Sequence, residues 1–267
     1  MSDKKFTVLD FQAKKEAGEK ITMLTAYDCP MAAAVDKAGI DAILVGDSVG
    51  MVMLGYDSTA PVTMDEMIHH ARAVSKGAKR AFVIGDMPFM SYQVSDEEAV
   101  RNAGRFVKEA GCDAVKVEGG SEITPRVKAM IDAGIPVLGH IGLTPQSATK
   151  LGGYRVQGKD EASAVRLIKD AQALEKAGCF AIVLECVPAE LAGRITSKVR
   201  IPTIGIGAGG DCDGQVLVTH DVIGYFDKFT PRFVKRYAEV GRIVEEAINS
   251  FKKETESGKF PGKEHSF

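Results

Sequence analysis

One short phrase recurs along the chain: DKAGIDAILV (36–45), KEAGCDAVKV (108–117), IDAGIPVLG (131–139) and EKAGCFAIVL (175–184). Each reads as the end of an amphipathic helix, a glycine in a left-handed C-cap and an apolar run suited to a buried strand. Apolar runs bounded by Gly, Pro or polar residues fall at 20–27, 41–48, 81–87, 113–119, 135–141, 181–187, 201–207 and 214–220, eight in all. Amphipathic stretches separate most of them. Thr63 with Glu66 and Ser95 with Glu98 carry the spacing of helix capping boxes. A strand and helix that alternate this way build a parallel sheet. Eight repeats favour a closed (β/α)8 TIM barrel over an open sheet. The 267 residues predict one α/β domain over 1–267, with an extra N-terminal helix near 7–17 closing the bottom and a charged, flexible tail over 256–267.

Two places depart from the repeat. Only AGGDCDG (208–214) separates the seventh and eighth runs, too short for a full crossover helix. Either one unit is degenerate or the eighth strand is misassigned. The segments after strands two and five, 50–62 and 142–160, are long, polar and rich in glycine, as binding loops or lids are.

Function is written at the strand ends. AILVGDSV, AFVIGDMP, AVKVEGG and AIVLECVP each end in a single carboxylate: Asp47, Asp86, Glu118 and Glu185. An acid in such a run is costly to bury unless it meets a cation or stays protonated. In barrel enzymes the C-terminal ends of the strands carry the chemistry. The candidates there are Tyr27 with Asp28, Asp47 with Ser48, Asp86, Lys116 with Glu118, His140, Glu185 and the GIGAGG segment (205–210). Lys116 and Glu118 are two apart and so share one face of their strand. Asp47, Asp86 and Glu118 offer hard oxygen ligands suited to Mg²⁺ rather than zinc. Lys116 is a point charge for a substrate carboxylate or an enolate, Glu185 a candidate base, and His140 a candidate substrate contact. Each has a structural alternative. A lone acid past a strand often caps the next helix, Lys116–Glu118 also reads as a structural ion pair, and His140 as a core histidine, both as the lesser alternative. GIGAGG reads as a phosphate cradle or as close backbone packing, and His69–His70 as part of a structural helix.

Composition narrows the classes. With 34 basic and 36 acidic residues, net charge −2, and no basic tract, nothing points to nucleic acid or an anionic membrane surface. No apolar run approaches the ~20 residues of a bilayer span, and the first twenty residues lack a secretory apolar stretch. The five cysteines are scattered with no CxxC pair, which fits a reducing cytoplasm.

Seven segments then carry a resemblance: VGDSVGMVMLGYDST (45–59), DMPFMSY (86–92), VKVEGG (115–120), GHIGLTPQS (139–147), GGYRVQG (152–158), LECVP (184–188) and IGIGAG (204–209). In order, from about residue 5 to 255, the chain resembles the ketopantoate hydroxymethyltransferase family. The resemblance implies a barrel of the phosphoenolpyruvate/pyruvate-binding type and a cytoplasmic, Mg²⁺-dependent enzyme on the route to pantothenate. It implies a homo-oligomer, a decamer of pentameric rings. It places the metal on Asp47 and Asp86 with Glu118 as a third partner, substrate binding on Ser48 and Lys116, and the proton acceptor at Glu185. The reaction implied moves a one-carbon unit from 5,10-methylenetetrahydrofolate to 3-methyl-2-oxobutanoate, giving 2-dehydropantoate. The same acid cluster would also serve a Mg²⁺-dependent C–C lyase or mutase acting on a 2-oxo acid, and Lys116 a Schiff-base aldolase; a barrel kept as a binding module is a further alternative, against which the intact set of polar strand ends speaks. No segment offers a folate signature.

Overall fold

A computed structural model describes residues 4–150, 152–226 and 230–267. The chain divides into two compact units, Met1–Val218 and Thr219–Phe267.

The first unit is the barrel. Strands β1 (Ile21–Thr25), β2 (Ala42–Val45), β3 (Phe82–Asp86), β4 (Ala114–Glu118), β5 (Val137–Gly142), β6 (Ala181–Glu185), β7 (Thr203–Ile206) and β8 (Gly214–Leu217) close in sequence order. Every neighbouring pair is parallel, β8 against β1 included. The helices are α1 (Val8–Ala17), α2 (Cys29–Lys37), α3 (Val49–Val52), α4 (Met64–Gly77), α5 (Asp96–Lys108), α6 (Thr124–Asp132), α7 (Glu161–Ala177) and α8 (Ala189–Thr196). The glycines of the four recurring phrases, Gly39, Gly111, Gly134 and Gly178, all take positive φ. That conformation is strained for any residue with a Cβ, so glycine is what lets each helix turn straight into its strand. The Thr63–Glu66 capping box at the start of α4 forms in both directions, whereas at α5 only Ser95 accepts, from the Glu98 N–H.

Residues 207–213 connect β7 to β8 with no helix among them. Strand eight is therefore real and its preceding unit degenerate. In the GIGAGG segment a Cβ at Gly209 would press on Ala189, which supports the close-packing reading.

Alternation along the strands sorts side chains into two shells. Val83, Val115, Val117, Val137, Ile182 and Leu184 join the helices in the larger apolar cluster. Ile21, Met23, Ala42, Leu44, Phe82, Ile84, Ala114, Leu138, Ala181, Val183, Ile204 and Val216 fill the barrel interior. At the N-terminal pole α1 drives the fully buried Phe11 into this interior. Its ring meets Phe6, Phe82 and Phe180 edge-on at 5.1, 5.4 and 5.1 Å.

The second unit holds α9 (Thr219–Val222) and α10 (Val240–Glu256). Beyond α10 the chain turns so that Phe260 lies 5.6 Å from Phe251 and 5.3 Å from His265, ring to ring. Among the described residues no helix is long and apolar enough to cross a membrane.

Candidate active site

The inward rows that begin apolar end polar. On β3 the row runs Phe82, Ile84, Asp86; on β4, Ala114, Lys116, Glu118; on β5, Leu138, His140; on β6, Ala181, Val183, Glu185. Strand register sets the neighbours, pairing Asp86 with Lys116 and Glu118 with His140 across adjacent strands. The pleat thus delivers three acids, a lysine and a histidine to the C-terminal pole, with a fourth acid, Asp47, and Ser48 arriving just past β2.

Lys116 is the hub. Its Nζ lies 2.6 Å from Asp86 Oδ1 and 3.4 Å from Glu118 Oε1, with all three side chains at most 4 % exposed. The other Asp86 oxygen, Oδ2, accepts the Asp47 backbone N–H at 3.1 Å. His140 faces Glu118 Oε1 from Nδ1 at 3.5 Å and Glu185 Oε2 from Nε2 at 3.3 Å, although neither ring nitrogen reaches hydrogen-bond geometry. Ser48 Oγ shares a 2.8 Å hydrogen bond with Tyr27 OH. The Glu185 side chain, 15 % exposed, is more open than its His140 neighbour at 3 %.

Two residues that sequence reasoning missed complete the cluster. Gln146, in the loop after β5, donates from Nε2 to Asp47 Oδ2 and to Met87 O, both at 2.9 Å, and from its backbone N–H to Glu118 Oε2 at 3.1 Å. Tyr92, in the loop after β3, accepts the Glu118 N–H, and its hydroxyl lies 3.0 Å from Gln146 Oε1. Both are neutral residues on loops, invisible to a search for charge. The signal available was their place inside the DMPFMSY and GLTPQS segments. The same loop is stitched to the end of β6: Leu143 N donates to Glu185 O and Gln157 N to Cys186 O. A Cβ at Gly142 would collide with the Glu185 carbonyl, so glycine is needed where the loop meets the strand. Cys186 itself holds φ at 47°, the left-handed region, beside Glu185.

The electrostatics are unbalanced. Burial raises the Asp47 carboxyl well above the usual range, and the Asp86 and Glu118 charges add to it. Burial raises Asp86 too, against the pull of Lys116. At Glu118 burial is outweighed by Lys116 and His140, which hold its carboxyl low. Lys116 stays firmly protonated: burial opposes its charge, but Asp86, Glu118 and Asp47 prevail. Burial also opposes charge on His140, yet Glu118 and Glu185 raise its pKa to about 9. Among the remaining strand-end candidates, Asp28 takes the structural role, capping α2 through a bond from Met31 N. His70 packs structurally, its Nδ1 on Tyr27 O at 2.7 Å.

The donor set suits a hard divalent cation. Asp47 and Asp86 are adjacent, and Asp47 Oδ2 is taken by Gln146 while Oδ1 accepts no hydrogen bond among the described residues. No three acidic, histidine or cysteine side chains among the described residues form a complete cage. Mg²⁺ rarely requires one, since it binds through one or two carboxylates and completes its shell with substrate and water. An ion that met Asp47 would also relieve the repulsion that holds its carboxyl up.

The family model for ketopantoate hydroxymethyltransferase matches residues 5–263. The 3-methyl-2-oxobutanoate hydroxymethyltransferase of Moorella thermoacetica is 59% identical over 261 residues, covering 98% of this chain and 97% of its own. That of Syntrophomonas wolfei is also 59% identical over 261 residues, covering 98% and 95%. Among solved structures, 2,3-dimethylmalate lyase, a PEP mutase/isocitrate lyase superfamily member, superposes with a TM-score of 0.59 at 16% identity, over 97% of this chain and 91% of that one. The lyase shares the barrel, while identity along nearly the whole length decides the lineage: this chain belongs to the ketopantoate hydroxymethyltransferase family.

Proposed function

We propose that the chain transfers a hydroxymethyl group from 5,10-methylenetetrahydrofolate to 3-methyl-2-oxobutanoate, giving 2-dehydropantoate. The observation that carries this reading is the surplus of buried carboxylates around Lys116 at the C-terminal pole, in a chain of this family. Asp47 and Asp86 hold Mg²⁺, with Glu118 as a further partner held back by its bonds to Lys116 and Gln146. When bound, Mg²⁺ supplies Lewis-acid polarisation and a template for a 2-oxo acid.

The protein's own groups do the rest. Ser48, His140 and Lys116 contact the substrate, and protonated Lys116 meets the negative charge that develops as C3 loses its proton. Glu185 takes that proton. It is the more open carboxylate beside His140, whereas an imidazole with a pKa of about 9 already holds its proton at neutral pH and is a poor base there. The C3 carbanion attacks the methylene carbon of the folate, both C–N bonds of that carbon break, water supplies the hydroxyl oxygen, and the proton from C3, through Glu185, and one from water end on the two amine nitrogens as tetrahydrofolate leaves. The stitched loop after β5 shields the anion from solvent protons. A Schiff base through Lys116 is disfavoured, because it needs a neutral amine and this one is held as an ammonium by Asp86 and Glu118. The enzyme works in the cytoplasm as a homo-oligomer of the decameric kind. Turnover of 3-methyl-2-oxobutanoate with methylenetetrahydrofolate, with and without Mg²⁺, tests the reading. Formation of 2-dehydropantoate that depends on both folate and metal supports it, and retro-aldol cleavage without folate would replace it.

A further inference from the structure

We propose that Gln146 is a positioning residue that fixes which oxygen Asp47 presents to the divalent cation, and that Tyr92 holds it in place. This rests on the reading that Asp47 and Asp86 hold the ion. The orientation of the Gln146 amide is set by its neighbours. Its Nε2 faces two acceptors, Asp47 Oδ2 and Met87 O, each at 2.9 Å, and its Oε1 faces Tyr92 OH at 3.0 Å. The flipped amide would set an oxygen against two oxygens, so only one orientation is compatible with its surroundings. Both Nε2 protons are then committed. Tyr92 is equally constrained: its oxygen accepts the Glu118 N–H, and its single proton lies within reach of Gln146 Oε1 and Glu118 O. Gln146 is 7% exposed and Tyr92 fully buried, so breaking either link leaves a buried polar group without water to replace it.

The consequence is specific to the cation. With Oδ2 of Asp47 held by Gln146, the carboxylate cannot rotate freely, and Oδ1 is the oxygen left to bind an ion. The backbone N–H of the same residue holds Glu118 Oε2, so one residue of the loop after β5 sets two of the three acids. It also touches the end of β3 through Met87 O. Outer partners of metal ligands act this way, by orienting the oxygen that binds.

The test is Mn²⁺ binding by calorimetry to the intact protein, alone and with 3-methyl-2-oxobutanoate, in wild type, Gln146→Leu and Tyr92→Phe. In Gln146→Leu the Mn²⁺ affinity should fall by roughly 10–100-fold, the usual effect of losing such a partner. Turnover lost at low Mn²⁺ should return toward the wild-type kcat as Mn²⁺ is raised. Tyr92→Phe keeps the ring and should shift affinity the same way by less. The double variant should lose less than the sum of the two, since both act on one link. Wild-type binding with unchanged affinity in Gln146→Leu overturns the role of Gln146 alone. If Gln146→Leu does not fold, unchanged affinity in Tyr92→Phe overturns the link. No binding of Mn²⁺ by the wild type, with or without substrate, overturns the metal site itself and this role with it.

Discussion

The two poles of the barrel bury charge to opposite ends. At the N-terminal pole each of three acids that open a strand has one lysine: Lys14 with Asp41 at 2.7 Å, Lys5 with Asp113 at 2.8 Å, Lys15 with Asp213 at 2.9 Å. Each also accepts a backbone N–H from the preceding strand, of Thr22, Val83 and Thr203. Charge and hydrogen bonds balance, and the result ties β1 to β2, β3 to β4 and β7 to β8 beneath an aromatic plug. At the C-terminal pole Asp47, Asp86, Glu118 and Glu185 share Lys116 and His140. Carboxylates there outnumber cations, an arrangement that fits the metal site proposed above. Balanced charge marks the scaffold here, and unbalanced charge marks the site.

That contrast breaks if substitutions at the top leave the chemistry intact, or if those at the bottom remove it. The largest effect is expected at the metal pair. Asp47→Ala and Asp86→Ala should each abolish Mg²⁺-dependent binding of 3-methyl-2-oxobutanoate, read by calorimetry, and with it turnover. Their stabilities should part. Asp86→Ala strips Lys116 of its nearest partner and should cost about 3–5 kcal/mol, as breaking a buried pair does. Asp47→Ala removes a repelled carboxylate and should cost less, so thermal melts rank the two. Normal activity in either variant would end the assignment.

At the other pole Phe11→Ala opens a cavity under the barrel and should cost about 3–5 kcal/mol of stability by denaturant melt. The kcat of the folded fraction should stay at the wild-type value. A large loss of kcat there would mean that the poles are not separable.

The smallest effect is a pH dependence. His140 has a pKa of about 9 in the folded chain against an ordinary 6.5, so between those values the folded state holds a proton that the unfolded one has lost. Its contribution is full below about 6.5 and disappears as pH rises through about 9. In the metal-free protein, wild-type stability minus that of His140→Asn should therefore shrink with rising pH across this window. A difference that is flat or grows would show that the flanking acids do not hold that proton.

Much of this is legible in the sequence. The helix–glycine–strand phrase marked where four helices give way to strands because glycine best tolerates the left-handed cap, and Gly39, Gly111, Gly134 and Gly178 all take positive φ. The strand-end acids stood out because ionised groups rarely end apolar runs without a partner. What sequence spacing left open was the pairing. Alternation puts Lys116 and Glu118 on one face, but it takes the β3–β4 register to set Lys116 against Asp86 at the closer distance. Asp28 carries the same sequence signature as Asp47 yet caps a helix, a difference that lies in backbone geometry. Gln146 and Tyr92 stayed hidden because a neutral loop residue gains its role only from what the fold brings beside it.

The proposed reaction needs Glu185 to take the C3 proton. Exchange of the C3 proton of 3-methyl-2-oxobutanoate with solvent deuterium, followed by NMR with Mg²⁺ present and no folate, isolates that step. Wild type and Phe11→Ala should both exchange, while Glu185→Gln should bind substrate and Mg²⁺ normally yet exchange slower by ~10²–10⁴-fold, the contribution of a positioned general base. Exchange at the wild-type rate in Glu185→Gln would contradict the account and move the search for the base to His140.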